Sequence, residues 1–119
     1  MSLAITSRIV AGVVIVDLSG RLCFLEVALH KQIKELLDEG HRSFVVNLAD
    51  VPYVDSFGLG QLIAIWTSIR SAGGHLVLLR PTDHVQHLFQ ITKLNSVFET
   101  AGEEVQAVRS ARISVPASA

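Results

Sequence analysis

Three short apolar runs constrain the fold more than anything else in this chain. VVIVDL (Val13 to Leu18), FVVNL (Phe44 to Leu48) and HLVLL (His75 to Leu79) are separated by longer stretches with helical periodicity. In the first run Val14, Val16 and Leu18 share one side of an extended chain, and Val13, Ile15 and Asp17 share the other. A strand that is apolar on both sides must be covered on both sides. Strands of that kind alternating with helices predict a buried, mostly parallel sheet with helices packed on it.

The remaining elements fall around these runs. Ile5 to Ile9 reads as a further strand, joined to Val13–Leu18 by an Ala11-Gly12 turn in an N-terminal hairpin. Leu25 to Asp38 is helical: Leu25, Leu29, Ile33, Leu36 and Leu37 recur on one side, and Gly40 stops it. Ala49 to Val54 is a loop. From Phe57 the period is helical again, with Leu59, Leu62, Ile63, Trp66 and Ile69 as the apolar stripe and Gly73-Gly74 as the stop. Asp83 to about Ile91 is a short helix with Val85, Leu88 and Phe89 inward and Asp83 as N-cap. Val97-Phe98 reads as a short edge strand, and Glu103 to about Ala111 as a last helix carrying Val105 and Val108. The expectation is an α/β fold: a four- to five-stranded mixed sheet, mostly parallel, with about four packed helices. Residues 1–113 form one domain, and 114–119 a disordered tail.

Composition narrows the function classes. Ten basic against eleven acidic residues give a formal charge of −1, without the basic stripe of a nucleic-acid binder. The longest apolar run, Ile9 to Val16, is far short of the ~18–20 residues of a spanning helix, so no membrane insertion is expected. The single cysteine, Cys23, allows no intrachain disulfide and suits a reducing, cytoplasmic setting. His84 and His87 have a possible metal-ligand spacing, but no carboxylate or cysteine partner is evident nearby in the sequence. They read as a solvated helix face, and no metal or cofactor is implied. Trp66 reads as core, and Arg70, Arg80, Arg109 and Arg112 as scattered surface charge.

The chemistry concentrates in VDSFGLG, Val54 to Gly60. Asp55 or Ser56 suits the cap of the helix that begins here. Capping leaves Gly58 and Gly60 unexplained, since each costs roughly 1 kcal/mol against alanine inside a helix. Glycine there keeps the surface beside Ser56 flat and lets another backbone come close. A nucleophile elbow does not fit, because Val54 stands where G-x-S-x-G needs glycine. A phosphate loop does not fit either, because no GxxxxGK[ST] occurs. A phosphoacceptor role for Ser56 does fit. A helix N-terminus tolerates an added anion, and a phosphate of about −1.5 to −2 charge would repel a partner docked there.

The run VVNLADVPYVDSFGLGQLIAIW resembles the signature of STAS domains, especially bacterial anti-sigma-factor antagonists. GRL at Gly20–Leu22, GGHLVLL and HLFQITKLNSVFE extend the resemblance over roughly Ile5 to Ala111. It implies a non-catalytic protein that, unphosphorylated, binds an anti-sigma factor with serine kinase activity. It also implies Ser56 as phosphoacceptor, reset by a serine phosphatase. Asp55 then positions the serine and the helix start, and Phe57, Gly58, Gly60 and Cys23 belong to the partner-binding surface. Two positions depart from the pattern: Phe57 replaces a frequent Ser or Thr, and Cys23 follows GRL where many relatives carry an acid. STAS-like subunits of signalling assemblies or of lipid transporters are the alternative. An edge strand also allows two chains to pair as a homodimer.

Overall fold

The computed structural model describes residues 3–23 and 27–113. The tail expected over 114–119, and the Leu25 and Glu26 positions of the first helix, lie outside the described residues.

Strands β1 (Ala4–Val10) and β2 (Val13–Ser19) form the hairpin. Its two turn residues, Ala11 and Gly12, both have positive φ (52° and 82°), the turn geometry that matches strand twist. The chain then forms α1 (Val27–Asp38), β3 (Ser43–Asp50), α2 (Ser56–Ser71), β4 (His75–Leu79), α3 (Asp83–Ile91), β5 (Glu99–Ala101) and α4 (Glu104–Ile113). The sheet has five strands in the order β1-β2-β3-β4-β5, antiparallel at the hairpin and parallel elsewhere. This is the mixed sheet that the sequence predicts.

Both sides of the sheet are buried because its central strands are apolar on both sides. Val14, Val16, Leu18, Phe44, Val46, Leu48, Leu76 and Leu78 face the larger core, beneath α1, α2 and α3. Val13, Ile15, Val45, Val77 and Leu79 face the smaller core, where Ala107, Val108 and Ala111 of α4 pack.

Four local expectations need correction. Asp83 does not cap α3. Thr82 does, in extended conformation, its hydroxyl accepting from the Val85 amide at 3.4 Å. Val97-Phe98 is not a strand. A 3₁₀ turn over Leu94–Ser96 takes the chain past it, Phe98 drops into the core, and pairing starts at Glu99. Ile63 is not on the buried stripe of α2, which runs Gly58, Leu59, Leu62, Ile65, Ile69. Trp66, as expected, packs against the larger core, half-buried and edge-on to Phe98 with the Arg70 guanidinium over its ring. On α4, Val108 is buried but Val105 is 70% exposed.

Candidate functional site

The site lies at the carboxyl edge of the sheet, where β2 and β3 run out. The Val51 amide closes a turn onto the Leu48 carbonyl at 3.0 Å, and Val51 and Val54 are buried pegs on either side of Pro52-Tyr53. Beyond a register shift the β2–β3 pairing resumes as a parallel bridge between Leu22 and Val54. The Leu22 amide donates to the Tyr53 carbonyl (3.0 Å), and the Asp55 amide donates to the Leu22 carbonyl (3.3 Å). Segments 20–23 and 51–55 are therefore fixed side by side.

Helix α2 starts from this pair. Asp55 is extended (φ −95°, ψ −175°), and its Oδ1 accepts from the Gly58 amide at 2.8 Å. The cap is thus Asp55. Ser56 is the first helical residue, exposed, with no hydrogen-bond partner for its hydroxyl among the described residues. Its side chain is not needed to satisfy the helix end.

The two glycines do different things. A Cβ on Gly58 would sit 2.0 Å from the Leu22 carbonyl oxygen, so residue 58 is bare because the backbone of the neighbouring segment presses on it. Gly58 is buried and shapes the surface from beneath. Around Gly60 there is open space, and it is exposed one turn above Ser56. Ser56, Gly60, Ile63 and Thr67 recur at four- and three-residue spacing and are all exposed, so they form one outward stripe of α2. Phe57 is 65% exposed, beside that stripe. Cys23 is half-buried, and its carbonyl accepts from Gln61 Nε2 at 3.0 Å, a second tie between segment 20–23 and α2.

Sequence reasoning missed a cluster at the same edge of the sheet, around the loop that leads into the serine. The Arg21 guanidinium lies 4.7 Å from the Tyr53 ring centroid, and His84 stacks on the same ring at 5.7 Å and 17°. The three residues come from three different segments. Only the composition of each loop hinted at them, and nothing local joined them. His84 is thus engaged with an aromatic ring. Among the described residues no group of three or more histidines, cysteines or carboxylates could hold a metal.

Two polar groups elsewhere are structural. His75 Nε2 and the Ser110 hydroxyl both bond the Glu99 carboxylate, the former at 2.6 Å. With the carboxylate in the middle, histidine does not touch serine, so this is not a nucleophile–base pair. Arg8 bonds Asp17 at 2.8 Å and Glu104 at 2.6 Å, tying the hairpin to α4, and Asn47 also donates to Asp17. Hydrogen bonds from Arg8 hold both carboxyls below their usual range, and the carboxylates raise the arginine in turn.

The STAS domain family model matches residues 4–107. A Thermotoga neapolitana protein, provisionally named an anti-sigma factor antagonist, is 31% identical over 107 residues, 86% of this chain and 95% of that protein. A solved Thermotoga maritima structure, also provisionally named an anti-sigma factor antagonist, is similar at 29% identity with a TM-score of 0.82, covering 91% and 94% of the two chains. The Bacillus anti-sigma factor antagonist SpoIIAA shares the fold at 20% identity and a TM-score of 0.70, covering 92% and 98%; it is solved in unphosphorylated and phosphorylated forms.

Proposed function

The chain belongs to the STAS domain family, and from that premise we propose that it is an anti-sigma factor antagonist switched by phosphorylation of Ser56. Unphosphorylated, it binds an anti-sigma factor that is also a serine kinase, and so frees a sigma factor for transcription. Phosphorylation ends the contact, and a serine phosphatase restores it. The protein itself performs no catalysis, and the exchange takes place in the cytoplasm.

The observation that carries this reading is the division of labour between Asp55 and Ser56. Asp55 caps the helix, while the Ser56 hydroxyl stands exposed without a structural task. A kinase can therefore reach the hydroxyl, and a phosphate can be added without breaking a hydrogen bond of the fold. The docking surface follows from the same geometry: Ser56, Gly60 and Ile63 along α2, flanked by Phe57. A bulky dianion in that surface opposes docking through charge and desolvation. The names of the relatives point the same way.

The test compares wild type, Ser56→Ala and Ser56→Asp as baits in lysate of the source organism, with mass spectrometry of what is retained. Wild type and Ser56→Ala should retain an anti-sigma factor with serine kinase activity, and Ser56→Asp should lose it by at least about tenfold, on the order of 1.4 kcal/mol. Purified kinase with ATP should modify wild type and leave Ser56→Ala unmodified. Equal retention of one transporter or scaffold by wild type and Ser56→Asp overturns the proposal and favours an assembly subunit.

A further inference from the structure

We propose that Arg21 leaves the Tyr53 ring to hold the phosphate once Ser56 carries one, so that phosphorylation also uncovers Tyr53. This rests on the reading of Ser56 as phosphoacceptor.

The backbone sets the geometry. At the Leu22–Val54 bridge both side chains point inward and are buried. Side chains alternate along extended chain, so Arg21 and Cys23 on one segment, and Tyr53 and Asp55 on the other, point to the outer side. Ser56 is the next residue after Asp55. Arg21 thus lies on a segment hydrogen-bonded to the one that leads directly into the phosphoacceptor, at the same edge of the sheet.

The state of Arg21 supplies the second part. Arg8 and Arg80 each bond a carboxylate, and Arg42 bonds two backbone carbonyls. Among the described residues Arg21 bonds no carboxylate and no carbonyl. It rests on the Tyr53 ring, which takes the charge through its face and leaves the N–H donors unused. Of segments 20–23, 51–56 and 81–84, which meet at this edge, Arg21 supplies the one permanent positive charge.

The chemistry decides which contact wins. A guanidinium matches a phosphate with paired, charge-assisted hydrogen bonds, stronger than an exposed cation–ring contact. Among the described residues the other charged groups here are Asp50, Asp55 and Asp83, with the His84 ring stacked on Tyr53 and Cys23 on the shared outer side. The carboxylates repel a phosphate, and Asp55 is already committed to the Gly58 amide. A dianion placed at this edge draws the cation that bonds no carboxylate.

The experiment installs phosphoserine at position 56 during translation, which needs no cognate kinase, in wild type and in Arg21→Gln. ³¹P NMR then follows the second ionisation of the phosphate with pH. The surrounding carboxylates and His84 act alike in both proteins, so the difference reports Arg21. The phosphate of wild type should ionise about half a unit or more below that of the variant, since a nearby opposite charge favours the dianion. Tyr53 is the only tyrosine, so its ring resonances are unambiguous. They should move on phosphorylation of wild type and stay put in Arg21→Gln. Equal ionisation in the two proteins, or unmoved Tyr53 resonances in phosphorylated wild type, overturns the proposal. The ring measurement stands even if the variant folds poorly. Failure of the phosphoacceptor reading would appear separately, as a purified kinase that leaves Ser56 unmodified.

Discussion

Gly58 and Gly60 are two residues apart, look alike in the sequence, and should respond oppositely to the same substitution. Gly58→Ala forces a methyl against the Leu22 carbonyl, which is backbone and cannot swing away. It should destabilise by about 1–3 kcal/mol. Gly60→Ala meets open space and gains helix propensity, so it should stabilise by about 0.5–1 kcal/mol. Urea denaturation of the two variants checks the contrast, and equal effects would refute the packing account. Asp55 and Ser56 form a similar pair. Asp55→Ala loses the cap and should cost about 1 kcal/mol, while Ser56→Ala should be nearly neutral in stability. The sequence offered both residues as caps on equal terms. It takes the backbone path into the helix, extended at Asp55 and helical at Ser56, to assign the task.

On the scale of an element, α2 shows why a periodic pattern places a helix more reliably than it orients one. Ile63 and Ile65 are both apolar, and a stripe through Leu59, Leu62 and Ile69 can be drawn to include either. The sheet decides: Ile65 is fully buried and Ile63 is 38% exposed. Ile65→Ala should therefore cost about 2–5 kcal/mol, and Ile63→Ala well under 1 kcal/mol. If the outward stripe is the docking face, Ile63→Ala should weaken capture of the anti-sigma factor without lowering the melting temperature. Calorimetry beside the bait experiment separates the two effects. The same lesson covers Val105, which satisfies the helical period of α4 yet faces outward.

Across the whole molecule, Arg8 joins residues far apart in the chain, bonding Asp17 on β2 and Glu104 on α4. Its hydrogen bonds lower both carboxyl pKa values in the folded state. Groups depressed on folding stabilise above their unfolded pKa values, near 4, and lose that contribution as pH falls. Wild type should thus exceed Arg8→Gln in stability at pH 7, and the gap should close toward pH 3. Arg8 and Glu104 are more than a third exposed, so screening holds the gap to about 1 kcal/mol or less at low salt. Melting curves of both proteins across pH and salt check the sign and the size.

The sequence by itself determined the class of fold, the number of main elements, and the place where the serine motif would lie. Those follow from local pattern: apolar runs buried on both sides, helical periods between them, and a polar turn after a buried strand. It also named Asp55, Ser56, Phe57 and the glycines, since that motif is contiguous. Tertiary structure alone decided which side of each helix is covered, why residue 58 must be bare, and that Arg21, Tyr53 and His84 meet at the edge where the serine motif begins. The physical reason is common to all three. Each depends on two segments distant in the chain being pressed together by the parallel pairing of β2 with β3 and β3 with β4. No short-range preference of either segment encodes the other.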